Sequence, residues 1–101
     1  MLNKIFIMGA STGIGKALAI HYSNKNIILG LAARSLDLLE EVALECQDNN
    51  ATVHIFKVDV RKKKACIYAA NKFIELADGI DLVIANSGIA GKDNLFSGDS
   101  N

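Results

Sequence analysis

The most informative part of the sequence runs from residue 5 to residue 19 and reads Ile5-Phe6-Ile7-Met8-Gly9-Ala10-Ser11-Thr12-Gly13-Ile14-Gly15-Lys16-Ala17-Leu18-Ala19. Its first four residues are apolar and predict a buried parallel strand, and the residues from Gly15 onward predict a helix. A strand, a glycine-rich turn and a helix in this order bring free backbone N–H groups to one point. The helix N-terminus also carries a partial positive charge of about +0.5, so this arrangement is suited to binding a phosphate group.

Each glycine of this turn has a predicted task. Gly9 lets the chain leave the strand sharply, Gly13 lets a pyrophosphate approach the backbone, and Gly15 lets the helix pack closely on the sheet. The glycines are four and then two residues apart, which differs from the dinucleotide pattern G-x-G-x-x-G. Lys16 is followed by alanine, so the turn is not a P-loop either. A strand-helix turn that binds no ligand is the alternative interpretation.

Composition limits the classes of function. The chain has 101 residues, 50% of them hydrophobic, and a mean hydropathy of +0.24, which predicts at most one folded domain. The formal net charge is zero, so neither nucleic acid nor a membrane surface is expected as the main partner. Cys46 and Cys66 are predicted to be core residues on opposite faces of a sheet, and they fit a reducing cytoplasm. The sequence shows no signal pattern and no apolar run approaching the roughly 18 residues of a membrane span.

The rest of the chain alternates between strands and helices. Strands are predicted at residues 3–8, 26–33, 52–58 and 81–85, and helices over 14–24, from the N-cap Ser35 to Asp48, and over 62–77 with Gly79 closing the last one. Strands joined by helical crossovers predict an α/β, Rossmann-like partial doubly wound parallel sheet with strand order 3-2-1-4. A ligand is then expected at the carboxyl ends of strands one and four. Residues 86–101 show no clear period and are predicted to be a loop.

Two surfaces on helices complete this prediction. The first helix is predicted to carry Ile14, Ala17, Leu18 and His21 on one face. The run from Arg61 to Lys64 is predicted to form the first turn of the third helix, as a solvated face.

The turn from Gly9 to Gly15 resembles the T-G-x-x-x-G-[IL]-G turn of the short-chain dehydrogenase/reductase family, with Met8 where the family usually has threonine. The resemblance covers residues 1–101 and implies the N-terminal, NAD(P)-binding Rossmann half of such an enzyme. It implies that the turn binds the cofactor through Gly9, Ser11, Thr12, Gly13, Ile14 and Gly15. The Ser11 hydroxyl either faces the pyrophosphate or caps the turn.

The end of the second strand bears on the choice of cofactor. Ala33 stands where NAD-preferring members of the family carry aspartate, and Arg34 resembles the basic residue of NADP-preferring members. A guanidinium binds a phosphate in a bidentate, charge-assisted way. NADP(H) is therefore expected in preference to NAD(H), although Thr12 stands where NADP-preferring relatives often have Lys or Arg. The alternative is a solvated arginine at a strand end.

Two further segments match the family after strands three and four. The resemblance implies that Asp59 bonds the adenine amino group and that Val60 lines its pocket; alternatively, Asp59 caps the third helix. Asn86-Ser87-Gly88 resembles the end of the family's N-N-A-G segment beside the cofactor, with Ala85 in place of the first asparagine. An ordinary Asn-Ser-Gly turn is the alternative there.

No catalytic residue is predicted in this chain. Tyr68 and Lys72 match the spacing of the family's Tyr-x-x-x-Lys pair, but they lie on the wrong helix and are interpreted as helix neighbours. The family's catalytic serine and tyrosine would lie beyond residue 101, so the sequence is expected to be a truncated reading frame or an incomplete sequence.

The resemblance implies hydride transfer between a nicotinamide cofactor and a small carbonyl or alcohol substrate by a homo-oligomeric full-length form. A non-catalytic nucleotide-binding or regulatory module is the first alternative. An epimerase or dehydratase relative is the second, although its usual G-x-x-G-x-x-G turn is missing.

Overall fold

The structure is a computed structural model that describes residues 2–85. Its elements are β1 (Lys4–Met8), α1 (Gly13–Tyr22), β2 (Ile28–Ala33), α2 (Leu36–Asp48), β3 (Thr52–Lys57), α3 (Lys63–Ala77) and β4 (Leu82–Ala85). The strands form one parallel sheet in the order β3-β2-β1-β4, which confirms the predicted α/β architecture. The predicted loop 86–101, including Asn86, Ser87 and Gly88, lies outside the described residues.

The sheet is covered by an apolar layer on each face. Successive side chains of a strand point to opposite faces, so Ile5 and Ile7 of β1 pack with α1 and α2, whereas Phe6 and Met8 pack with α3. Central strands buried on both sides require the continuous apolar sequence that β1 and β2 have. The predicted separation of the cysteines is confirmed, because Cys46 lies in the first layer and Cys66 in the second, both as buried free thiols.

The layer under α3 depends on a glycine in the middle of β2. A Cβ at Gly30 would lie 2.6 Å from Cδ1 of Phe73 and 2.7 Å from Cδ1 of Phe6. The two phenyl rings occupy that space, with centroids 5.6 Å apart. Gly30 therefore allows two aromatic side chains to meet over the sheet, which sets how closely α3 packs.

Helix α1 packs on the sheet through a face that shares only Leu18 with the predicted one. Its buried residues are Gly15 and Ala19, and Leu18 packs against the same core. Ile14, Ala17 and His21 are exposed, Ile14 at 66%. The reason is the close approach of the helix to the end of β1, which only small residues permit. Gly15 and Ala19, which are four positions apart and therefore on one side of the helix, face the core, whereas Ile14 faces outward.

The other helix ends largely follow the predictions. Ser35 is the N-cap of α2, as predicted, and its Oγ accepts a hydrogen bond from the Leu38 amide at 3.3 Å. At the end of α3, Asp78 takes the left-handed conformation with φ of 61°, one residue before the predicted Gly79, whose φ is 136°. Of the helices that the structure describes, the longest is α3 with 15 residues, and none is long and apolar enough to cross a membrane.

Asp81 joins the start of β4 to the start of β1. One oxygen of its carboxylate accepts hydrogen bonds from the Asn3 and Lys4 amides at 3.1 and 3.0 Å. Its own amide donates to the Lys4 carbonyl at 2.7 Å. The bonds from the two amides, Asn3 first, hold the pKa of Asp81 below its usual value of 3.8. The ionised carboxylate thus stabilises the folded chain.

We expect Asp81→Ala to lower the melting temperature at pH 7 by about 4–8 °C, because two amides lose a charged acceptor. A carboxyl group with a lowered pKa stabilises the fold above its ordinary pKa and loses this effect as the pH falls through the lowered one. The difference between wild type and variant should therefore shrink below about pH 4. Thermal melts from pH 7 to pH 3 measure it. Asp48→Ala, at an exposed position on α2, is the control; an equal loss there would contradict the assignment.

Candidate functional site

The turn after β1 is anchored to β2 by two of its own amides. The chain reverses at Gly9, where φ is +79°. The Gly9 and Ala10 amides both donate to the Ala32 carbonyl, at 2.8 and 3.2 Å. The first two amides of the glycine-rich turn are therefore not among the free N–H groups that the sequence predicts, since they hold the turn in place. The donors available to a ligand begin at Ser11.

The next amides have no acceptor among the described residues. The first backbone hydrogen bond of α1 runs from the Lys16 amide to the Thr12 carbonyl at 3.3 Å, so the amides of residues 11–15 precede it. Thr12 is the N-cap, but its side chain makes no capping bond, and the first turn of α1 contains no acidic residue. In α2, by comparison, the Ser35 side chain caps the N-terminus. Unpaired donors at a helix N-terminus are suited to an anion.

Gly13 leaves open space beside the backbone and Gly15 allows close packing of the helix, as the sequence predicts for each. Gly13 has φ of +58°, and a Cβ built there would meet no atom within 4 Å, so the space beside its backbone is open. A Cβ at Gly15 would lie 2.0 Å from the Gly9 carbonyl oxygen and 3.1 Å from the Ala10 Cα. The helix is therefore in backbone contact with the turn, which fixes where its unpaired amides point.

A cleft of about 340 Å³ opens in front of these amides. It lies at the carboxyl ends of β1 and β2, whereas the sequence predicted the carboxyl ends of strands one and four. The residues that follow β4 lie outside those that the structure describes. The structure brings seven of the predicted cofactor residues together there with Ala33: Gly9, Ser11, Thr12, Gly13, Ile14, Arg34 and Val60. Gly15 lies behind the turn. Asp59 lines a neighbouring groove of about 390 Å³ together with residues of β3 and α3.

Arg34 gives this cleft a positive charge. Its side chain is exposed, and no carboxylate of the described residues lies within 4.0 Å of its guanidinium. Its charge is felt by Asp59, whose pKa it helps to lower. Ala33 beside it is buried and adds no charge. The end of β2 thus presents a cation and no anion to a ligand in the cleft.

Asp59 is bound by Arg61 and does not cap α3. Its Oδ1 accepts hydrogen bonds from the amide and the Nε of Arg61 at 3.0 and 3.1 Å, and its Oδ2 accepts from Nη2 at 3.0 Å. These bonds, the side-chain one first, lower the pKa of Asp59 from 3.8 to about 2. The N-cap of α3 is Lys62, with no side-chain capping bond, so the predicted capping role is wrong. The carboxylate is too early in the chain to reach the helix amides.

Arg61 is the residue of this region that the sequence did not single out. The run from Arg61 to Lys64 was expected within the first turn of α3, but the helix begins at Lys63 and Arg61 precedes it. The sequence signal for this contact is that Arg61 follows Asp59 by two residues. An aspartate side chain commonly accepts a hydrogen bond from the backbone amide two residues later, which closes a local turn.

Four other side chains with titratable groups lie outside the lining of the cleft. Tyr68 is exposed on α3, and Lys72 pairs with Glu75 at 3.7 Å. His21 is exposed, whereas His54 lies edge-on to the Phe73 ring with centroids 6.4 Å apart. Within residues 2–85, no three His, Cys, Asp or Glu side chains come together as they would in a metal site.

The sequence and the structure both match known proteins. The sequence model of the family described as short chain dehydrogenase matches residues 3–100. An uncharacterized oxidoreductase of Myxococcus xanthus is 33% identical over 88 residues, which are 87% of this chain and 35% of the relative.

Two solved structures with bound nucleotides resemble the fold. The alcohol dehydrogenase from the archaeon Thermococcus sibiricus, complexed with 5-hydroxy-NADP, matches with a TM-score of 0.74 and 33% identity over 82% of this chain and 36% of its own. The NADH-dependent reductase A1-R′, complexed with NAD, matches with a TM-score of 0.75 and 28% identity over 87% and 37% of the two chains. The chain thus spans about a third of the length of these relatives.

Proposed function

The chain belongs to the short chain dehydrogenase family, and on this basis we propose that it is the NADP(H)-binding portion of an oxidoreductase. The family and its nucleotide-bound structures support a nicotinamide dinucleotide as the cofactor. The preference for the phosphorylated nucleotide is our own inference from the cleft. The reaction we propose for the whole protein is hydride transfer between the nicotinamide and a carbonyl or alcohol substrate.

One observation carries the proposal: the N-terminus of α1 is uncapped and opens on a cleft whose other wall carries Arg34. The amides of residues 11–15 lack acceptors among the described residues, and the space beside Gly13 is open. Unpaired donors at a helix N-terminus suit the pyrophosphate of a dinucleotide. Helix α3 also begins without a side-chain cap, so the missing cap at α1 supports the proposal only together with the open space beside Gly13 and the cleft in front of it.

The side chains around the cleft support the choice of NADP(H). We propose that Arg34 binds the 2′-phosphate of the adenosine ribose and that Val60 and Asp59 lie toward the adenine. An NAD site would instead present a carboxylate to the ribose hydroxyls at the end of β2. Ala33 stands there, so the described residues supply no such acceptor.

The nicotinamide would supply the hydride chemistry, and the described residues would bind and orient the other half of the cofactor. The turn after β1 would hold the pyrophosphate through its amides and the Ser11 hydroxyl. We propose that Asn86, Ser87 and Gly88, which lie outside the described residues, also bind the cofactor. The free, buried thiols of Cys46 and Cys66 support the further proposal of a reducing cytoplasmic location.

We expect NADPH to bind the chain at least about tenfold more tightly than NADH, because a charge-assisted contact between guanidinium and phosphate is made only with NADPH. Arg34→Gln should weaken NADPH binding by about the same factor and leave NADH binding nearly unchanged. Calorimetric titration of wild type and variant with both nucleotides measures these affinities.

Lys25→Gln is the matched control, since Lys25 is an exposed cation outside the cleft lining. It should leave the ratio of the two affinities unchanged. Tighter binding of NADH than of NADPH by the wild type would refute the role given to Arg34. Binding of neither nucleotide would refute the proposed function.

A further inference from the structure

We propose that the outer edge of β3 is an interface for a second copy of this chain, formed by antiparallel pairing of the two β3 strands. β3 ends the sheet on one side, and no other strand among the described residues pairs with its outer edge. Edge strands of natural proteins are commonly short, charged or interrupted by proline. β3 has six residues and no proline, and its one lysine stands at the end. The strand is therefore open to further pairing.

The backbone groups that β3 leaves free are arranged symmetrically about Ile55. The amides of Thr52 and Val58 donate to carbonyls of the β2 side at 3.0 and 2.8 Å. Since alternate residues of a strand turn their N–H and C=O groups to opposite sides, those of Val53, Ile55 and Lys57 face outward. A two-fold axis at Ile55 brings Ile55 opposite its copy and Val53 opposite Lys57. Each such pair can exchange two hydrogen bonds, as in an antiparallel ladder.

An apolar groove lies on each side of β3. Beside α2, Val53 and Ile55 line a groove of about 330 Å³ together with Leu44, which is 63% exposed. Beside α3, Phe56 lines a groove of about 390 Å³ together with Tyr68, which is 66% exposed. A strand added to this edge directs its side chains alternately to the two faces of the sheet. Such a strand can therefore fill both grooves while its backbone pairs with β3.

The side chains of β3 itself suit these two grooves. Val53 and Ile55 pack in the layer beside α1 and α2, whereas Phe56 packs in the layer beside α3. A two-fold axis perpendicular to the sheet keeps each layer on the same side across the interface. The valine and isoleucine of the second copy would thus meet the groove beside α2, and its phenylalanine the groove beside α3. Both contacts join apolar surface to apolar surface.

The charges beside the strand also favour a second copy. Lys57 is in register with Ala33, which packs in the layer beside α1 and α2, so the lysine lies on the α2 side of the sheet. In the dimer it would lie opposite Val53, whose groove is also lined by Glu40. Glu40 and Lys57 are both exposed, and neither forms an ion pair within residues 2–85. The two-fold axis makes their contact twice.

The first test reverses this charge pair and measures the oligomeric state by sedimentation equilibrium. We expect the wild type to form a dimer as its concentration rises. Glu40→Lys and Lys57→Glu should each weaken the dimer by about tenfold or more, because like charges would then meet twice in every dimer. The double variant carrying both changes should restore it. Glu41→Lys makes the same change at an exposed position outside the groove and should leave the dimer intact.

Hydrogen exchange measured by NMR tests whether β3 forms the contact. The amides of Val53, Ile55 and Lys57 should exchange more slowly as the protein concentration rises, whereas that of Ile84 in β4 should not change. Slow exchange at β3 that is independent of concentration would overturn the proposal, because part of the same chain would then cover the edge.

Two other results would also contradict this interface. A wild type that stays monomeric would leave the edge to a strand of another protein, and a dimer that both charge reversals leave intact would use another surface. The proposal goes beyond the proposed function, and neither measurement needs a nucleotide. The failure of one therefore does not decide the other.

Discussion

Replacing Gly15 with alanine is expected to lower the free energy of unfolding by about 2–3 kcal/mol and to weaken NADPH binding on the order of 100-fold. The added Cβ would lie 2.0 Å from the Gly9 carbonyl oxygen, which is a backbone atom that cannot rotate away. The start of α1 must therefore move away from the turn by an ångström or more. That movement displaces the unpaired amides of residues 11–15 from the cleft.

Gly13→Ala is the matched control for this prediction. Its Cβ would meet no atom within 4 Å, so only the left-handed backbone, with φ of +58°, opposes the change. We expect a smaller loss of stability, about 1 kcal/mol. The new methyl group would still occupy the space proposed for the pyrophosphate. Denaturant unfolding and NADPH titration of both variants separate the two effects; equal stabilities of wild type and Gly15→Ala would contradict the backbone contact.

The sheet could be predicted from the sequence because its main signals are local and repeated. Four apolar segments separated by helical segments of ordinary length allow few arrangements, since crossovers between parallel strands are right-handed. The glycine-rich turn follows β1 and resembles a cofactor-binding turn, which predicts that β1 is a central strand. The observed strand order and the grouping of the turn residues with Arg34 and Val60 at one end of the sheet both follow from this reasoning.

The prediction for α1 is wrong for Ile14, Ala17 and His21, because residue size as well as the apolar pattern decides which face of this helix contacts the sheet. Ile14 looked like a core residue, yet the helix approaches the turn so closely that Gly15 and Ala19 occupy the interface. The contact between the backbones of Gly15 and Gly9 forms only in the tertiary structure. The sequence shows only that residues as small as Gly15 and Ala19 would permit such a contact.

The contacts of Asp59 could not be predicted because they depend on side-chain directions. Two interpretations were open, a bond to adenine and a cap on α3, and neither included Arg61. The structure removes the capping role and shows the bidentate pair. Similarly, the Gly9 and Ala10 amides belong to the glycine-rich turn, but only the position of Ala32 on the neighbouring strand shows that they are already paired.

Introducing a carboxylate at the end of β2 is expected to reverse the choice of cofactor. Ala33→Asp would place a negative charge beside Arg34, in the wall of the cleft where we propose that the 2′-phosphate binds. Two like charges about 5 Å apart in a partly solvated site repel by roughly 3 kcal/mol. The same carboxylate can accept hydrogen bonds from the ribose hydroxyls of NADH. The ratio of NADPH to NADH affinity, measured by titration, should therefore fall on the order of 100-fold.

Ala33→Asn separates the charge from the added volume, because asparagine has nearly the same shape as aspartate and no charge. Ala33 is buried, so both variants must fit a larger side chain, and both are expected to lose some stability and some affinity for either nucleotide. Only the aspartate repels a phosphate, so only Ala33→Asp should reverse the preference. If the two variants changed the ratio equally, packing at the strand end would govern the choice of cofactor. The phosphate would then have to bind away from Arg34, and the NADP(H) preference proposed for this chain would lose its basis.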